Sequence, residues 1–171
     1  NIVVIGLGYV GLPLAVKFSS AFDVIGYDIS DQRISELKKY YDKTNEVTKT
    51  KLQKAKRLSV TASIDSIKNH NIYIITVPTP VNEDNLPDLT FLKKACKLVS
   101  KIMAKDSIII FESTVYPGVT ENICAPILAK YSGYQLNKNF FLGYSPERIN
   151  PGDKKHSVEK ITKVVSGSNI T

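Results

Sequence analysis

Three glycines, Gly6, Gly8 and Gly11, stand in G-x-G-x-x-G spacing directly after the apolar run Ile2 to Ile5. An acidic residue, Asp28, follows about 20 positions later, at the end of a second apolar run, Val24 to Tyr27. The arrangement suits a bound diphosphate. Gly6 allows a sharp exit from a strand, Gly8 has no side chain to hold a phosphate off the backbone, and Gly11 lets the next helix pack closely. Free amides and the positive end of the helix dipole then face the anion. A carboxylate at position 28 accepts hydrogen bonds from a ribose diol and repels a 2′-phosphate. Ile29 and Ser30 bring no cation to reverse that preference. The residues therefore favour NAD over NADP. The competing reading is a glycine turn in a flavodoxin-like domain with no dinucleotide.

Further polar groups lie where apolar runs end. Asn71 to Val77 runs into Pro78-Thr79-Pro80, Ser107 to Phe111 into Glu112-Ser113-Thr114, and Phe140 to Tyr144 into Ser145-Pro146-Glu147-Arg148. In a doubly wound sheet the crevice outside the carboxyl ends of the strands holds the ligand. Thr79 and Thr114 are thus expected near the second half of a dinucleotide. A hydroxyl and a carboxylate beside a nicotinamide suit alcohol oxidation, with Glu147 moving a proton or orienting water and Arg148 binding an anionic substrate. The alternatives are a plain proline-rich exit loop around Thr79 and a surface pair at Glu147 and Arg148.

Elements that position these groups follow from periodicity. A helix is expected after Gly11, with Leu14, Phe18 and Phe22 on one face and Pro13 in its first turn. Ser30 caps a second helix carrying Ile34, Leu37 and Tyr41. Arg33 on that helix either lies over an adenine ring or is a solvated helix arginine. DKTNEVTKT, residues 42–50, reads as a polar loop, followed by a short basic helix around 50–57 and an edge strand from Leu58 to Thr61. Ser63 to Asn69 is one or two helical turns. Asp88 opens a long helix with Leu92, Ala95, Val99 and Ile102 inward, and Pro117-Gly118 starts another through about Lys130. Lys163 to Ser166 is a seventh, short strand. Strands alternating with helices give an α/β fold, a Rossmann-type doubly wound parallel sheet with helices on both faces.

The 171 residues fit one domain with a substantial core. No apolar run approaches the ~20 residues of a membrane span, and Asn1 leads straight into a strand without a charged n-region. The chain's ends suggest a piece of a longer protein. The net charge of +7 raises nucleic-acid or anionic-ligand binding. Apart from Arg33, Arg57 and Arg148 the cations are lysines spread over helix faces, so a lysine-coated surface is preferred and no nucleic-acid partner is expected. Cys96 and Cys124 fall in apolar helical patterns and read as buried structural thiols, which suits a cytoplasmic setting. His70 and His156 lack metal-ligand spacing, so no metal is expected.

The motifs GLGYVGLPLA, GYDIS with Arg33, VPTP, ESTVYPGVTE and SPERINPGD, in that order, resemble the N-terminal NAD-binding domain of the UDP-glucose/GDP-mannose dehydrogenases. The likeness runs over nearly the whole chain, so residues 1–171 are expected to form that one domain. It implies enzymes that oxidise C6 of a nucleotide sugar twice, from alcohol to carboxylate, using two NAD. The EST form, PERINPGD and DKTNEV are similar to the UDP-N-acetylhexosamine branch, which serves capsule, Vi-type and O-antigen polysaccharides. The resemblance implies that Tyr9, Val10, Asp28, Arg33, Thr79 and Thr114 contact NAD beside the three glycines. It places Thr114 near the reacting carbon, gives Glu147 proton transfer or thioester hydrolysis, and sets Glu147, Arg148 and Ile149 against the sugar nucleotide. The UDP-glucose branch has a second glutamate four positions on; Pro151 stands there. The family's catalytic cysteine, with its lysine and asparagine partners, lies beyond this domain, so the chain alone is expected to bind NAD without turning over a UDP-sugar. The full protein is expected to be a homodimer. UDP-glucose or UDP-N-acetylmannosamine oxidation and a non-catalytic dinucleotide-binding module are the alternatives.

Overall fold

A computed structural model describes residues 1–146 and 163–169. Among the described residues seven strands form one sheet: β1 (Ile2–Ile5), β2 (Val24–Tyr27), β3 (Leu58–Thr61), β4 (Ile72–Ile75), β5 (Ser107–Phe111), β6 (Phe140–Tyr144) and β7 (Ser166–Gly167). Their spatial order is β3-β2-β1-β4-β5-β6-β7. The first six are parallel, and the order reverses between β1 and β4, the topological switch of the Rossmann fold. Five helices accompany them among the described residues: α1 (Gly11–Phe18), α2 (Asp31–Lys38), α3 (Lys49–Lys54), α4 (Thr90–Ser100) and α5 (Ala125–Ser132).

The central strand explains the two-faced architecture. Alternate side chains of a strand point to opposite faces. Val3 and Ile5 enter a core with Leu92, Val99 and Leu128 of α4 and α5, whereas Ile2 and Val4 enter another with Leu12, Leu14, Ile34 and Leu37 of α1 and α2. Every residue of β1 is therefore buried, and its sequence is continuously apolar. On α4, Leu92, Ala95, Cys96 and Val99 are buried at helical spacing. Each such large aliphatic side chain contributes roughly 1.5–3 kcal/mol on full burial.

Several boundaries differ from the periodic reading. Helix α1 stops at Phe18, and Phe22 lies beyond it, 52% exposed. The Ser19 and Ser20 hydroxyls donate to the Val16 and Lys17 carbonyls, a side-chain alternative to continuing the helix. Tyr41 likewise falls past the end of α2 and is exposed. Asp88 is not in α4; its carboxylate accepts the Thr90 N–H at 2.8 Å, at the start of the helix. The helix expected from Pro117 begins as a π-helical turn, Thr120–Cys124, before α5. Pro126 has no N–H and crowds the carbonyl four residues back, and the widened turn accommodates it. Strand β4 ends at Ile75 rather than Val77. Strand β7 lies later than expected and runs antiparallel to β6.

Candidate coenzyme site

A crevice of about 650 Å³ opens at the carboxyl ends of β1, β2, β4 and β5. Gly8, Tyr9 and Val10 line it from the glycine turn, Asp28 from β2, and Thr79 and Thr114 from the ends of β4 and β5. Its size is that of a small-molecule or cofactor site.

The three glycines do different things. Gly6 has φ +95°, a left-handed conformation that favours glycine, and its N–H donates to Tyr27 O at 2.8 Å. A Cβ on Gly11 would lie 1.9 Å from Gly6 O and 2.4 Å from Thr76 Oγ1. Gly11 thus lets α1 abut the turn's own backbone, not only the sheet. A Cβ on Gly8 would meet no atom within 4 Å. That open position lies on the crevice wall, where a ligand needs to approach the main chain.

Leu7, between the first two glycines, is held from three sides. Its buried side chain lies over Gly26, where a Cβ would come within 2.8 Å of Leu7 Cδ2. Its N–H donates to Asp28 Oδ2 at 2.9 Å, and its carbonyl accepts Arg33 Nε at 2.8 Å. Asp28 Oδ1 accepts the Ser30 N–H at 3.0 Å. Each carboxylate oxygen has lone-pair capacity beyond one hydrogen bond, so Asp28 can brace the turn and still receive a ribose diol.

Arg33 is 3% exposed, which removes the solvated-arginine alternative. Its Nη2 pairs with Asp42 Oδ1 at 2.8 Å, and it does not line the crevice. Asp42 in turn accepts the N–H groups of Thr44, Glu46 and Val47 and the Thr44 hydroxyl, all within 3.0 Å. Burial pushes the Asp42 carboxyl up, but the Thr44 hydroxyl, the Val47 amide and Arg33 together hold it below the usual carboxylate range. A stretch that reads as a solvated loop is therefore a knot tied to the glycine turn through Arg33.

Sequence reasoning missed Thr76 and, although it placed Glu112 at a strand end, gave that acid no role. Thr76 Oγ1 is within hydrogen-bond distance of both Ile5 O, at 3.0 Å, and Gly6 O, at 2.7 Å, and so joins the end of β4 to the turn. A single hydroxyl inside the apolar run Asn71 to Val77 was its only signal. Glu112 lines the crevice, buried and ion-paired with Lys163. At the nicotinamide end proposed below, Thr79 and Thr114 do come together: Thr79 Oγ1 donates to Thr114 O at 2.6 Å. Glu147, Arg148 and Ile149 lie outside the described residues.

Cys96 and Cys124 are buried free thiols. The adjacent Cys124 thiol and burial push Cys96 far up, disfavouring a thiolate, as a structural role requires. Among the described residues no three His, Cys, Asp or Glu side chains could hold a metal ion, and no helix is long and apolar enough to cross a membrane.

The strand order, the glycine turn and the acid at the tip of β2 define a Rossmann-type dinucleotide-binding domain. The chain belongs to the UDP-glucose/GDP-mannose dehydrogenase family, whose NAD binding domain matches residues 1–171. It is 55% identical over 170 residues to Protein CapL of Staphylococcus aureus. It is 52% identical over 168 residues to a UDP-N-acetyl-D-glucosamine 6-dehydrogenase of Pseudomonas aeruginosa. These matches cover 99% and 98% of the chain but about 40% of each relative. Among solved structures, the NDP-N-acetyl-D-galactosaminuronic acid dehydrogenase of Methanosarcina mazei Go1 superposes with a TM-score of 0.89 at 26% identity, covering 99% of this chain and 39% of that one. The UDP-D-ManNAc dehydrogenase of Pyrococcus horikoshii gives 0.84 at 32% identity, covering 97% and 40%.

Proposed function

We propose that this domain is the coenzyme half of a UDP-N-acetylhexosamine 6-dehydrogenase that converts the C6 alcohol to a carboxylate in two NAD-dependent oxidations. The product would be a uronate for surface polysaccharide. Residues 1–171 form the NAD domain, and a cysteine-bearing sugar domain follows in the complete protein. That protein is a cytoplasmic homodimer in this reading. The crevice supports the coenzyme assignment, above all the open position at Gly8 beside a Leu7 peptide held by Asp28. The sugar assignment rests on the relatives: 52% and 53% identity to two UDP-N-acetyl-D-glucosamine 6-dehydrogenases, against 36% to a UDP-N-acetyl-D-mannosamine dehydrogenase.

NAD, when bound, supplies the hydride acceptor. The main chain around Gly8, Tyr9 and Val10 would hold its diphosphate, and Asp28 its adenosine ribose. Arg33 would act on the adenosine end by fixing the Leu7 carbonyl. Thr79 and Thr114 would flank the nicotinamide, with Thr114 near the reacting carbon. Glu147 would move the proton, and Glu147, Arg148 and Ile149 would meet the UDP-sugar.

Calorimetry on the isolated chain tests the coenzyme reading. NAD is expected to bind, and Asp28→Ala is expected to weaken it at least tenfold. One or two charge-assisted bonds to the ribose, each about 1.5–3 kcal/mol, account for that loss. No heat from millimolar NAD with folded protein overturns the reading. Assay of the complete protein on UDP-N-acetylglucosamine, UDP-N-acetylgalactosamine, UDP-N-acetylmannosamine and UDP-glucose tests the substrate.

A further inference from the structure

Glu112 is an acid in the crevice wall to which the reading above gives no task. It follows directly on β5, and its N–H donates to Ile75 O of β4 at 2.9 Å. Its side chain is only 8% exposed, and its carboxylate pairs with Lys163, whose side chain is 20% exposed. Along β2-β1-β4-β5 it stands three strand spacings from Asp28, about 14 Å away. A dinucleotide whose adenosine ribose sits at Asp28 and whose chain crosses the switch point brings its nicotinamide toward this end. Ser113 and Thr114, which follow Glu112, also line the crevice, as does Lys94 of α4, a cation on the wall itself, whereas Lys163 reaches Glu112 from outside the lining.

The nicotinamide ring is cationic when oxidised and neutral after accepting a hydride, while the rest of the coenzyme keeps its charge. A fixed charge near the ring therefore enters the difference between NAD+ and NADH affinity, and one near the diphosphate does not. A carboxylate here favours the oxidised ring, and an ammonium disfavours it. As a close ion pair the two nearly cancel at a distance.

We infer that the Glu112–Lys163 pair determines the selectivity of the site between oxidised and reduced coenzyme, with Lys163 muting an acid that would otherwise hold NAD+ preferentially. This rests on the coenzyme reading above. Removing either partner unmasks the other, so the two single variants must err in opposite directions. One unmatched unit charge at that end of the crevice is expected to change the ratio of dissociation constants about fivefold, equivalent to about 1 kcal/mol.

The test measures dissociation constants of NAD+, NADH and ADP-ribose, which has no nicotinamide, on the 171-residue chain. Lys163→Met is expected to shift the NAD+/NADH preference about fivefold toward NAD+, and Glu112→Gln about fivefold toward NADH. The double variant is expected to return within twofold of the parent, with ADP-ribose unchanged throughout. Should Glu112→Gln fail to fold, the direction of Lys163→Met alone decides. Single variants that leave the ratio within twofold, move it the same way, or alter ADP-ribose equally overturn the inference while the coenzyme reading stands. A parent chain that binds none of the three ligands overturns both.

Discussion

Gly11→Ala is expected to disrupt both the native turn and NAD binding, whereas Gly8→Ala weakens only the binding. The added methyl at position 11 would overlap the Gly6 carbonyl, at 1.9 Å, and Thr76 Oγ1, at 2.4 Å. Threonine can rotate away, but the carbonyl belongs to a turn fixed by the Gly6 N–H bond to Tyr27 O. Helix α1 must then separate from β1, opening the core that Leu12 and Ala15 share with Val4. A destabilisation of more than about 3 kcal/mol is expected, the scale of severe overpacking in a core. At position 8 the methyl meets no protein atom. Thermal stability should stay within about 1 kcal/mol, in the range of ordinary exposed substitutions, while NAD affinity falls at least tenfold because the ligand loses its approach to the main chain. Paired melting curves and calorimetry decide. Equal stability loss in both variants would refute the division of labour between the glycines.

Asp42→Ala is expected to be nearly as damaging, although position 42 lies outside the crevice. It leaves the Arg33 guanidinium buried without its counter-ion and frees three amides and a hydroxyl. Breaking a buried pair from one side destabilises by about 3–5 kcal/mol. In a domain of this size that lowers the melting temperature by roughly 10 °C. NAD affinity falls as well, since Arg33 no longer fixes the Leu7 carbonyl. The folded-state carboxyl is held below its ordinary range, so its contribution is full above the unfolded value of about 3.9 and is lost as pH falls through the lower, folded value. Urea melts at pH 7 and pH 3 should therefore show a steeper acid loss in the parent than in Asp42→Asn. Parallel pH profiles would remove Asp42 from the acid response.

The sheet was readable because its inner strands are apolar runs, buried throughout in β1 and largely so in β2 and β4. Ile2 to Ile5, Val24 to Tyr27 and Ser107 to Phe111 stand out as apolar runs, and all three match the observed strands. Helix ends were not readable. Phe22 and Tyr41 continue the spacing of α1 and α2 after the backbone has turned away, because periodicity records side-chain type and not hydrogen bonding. The glycines and Asp28 announced the crevice by their spacing together with the apolar runs that precede them. The support behind them was hidden: Arg33 and Asp42 meet only once α2 and the following loop have closed over Leu7, and a carboxylate among lysine, threonine and asparagine looks solvated until then. Glu112 and Lys163, 51 positions apart, are joined only by the tertiary fold.

The doubly bonded Leu7 peptide bears on engineering the domain to accept a phosphorylated coenzyme. Exchanging Asp28 for a neutral or basic side chain would remove the repulsion. It would also strand the Leu7 and Ser30 amides that this one carboxylate caps. An unmet amide on the fully buried Leu7 forfeits about 1–3 kcal/mol, and one on half-buried Ser30 less. A successful redesign has to supply new acceptors for both amides as well as a cation for the phosphate.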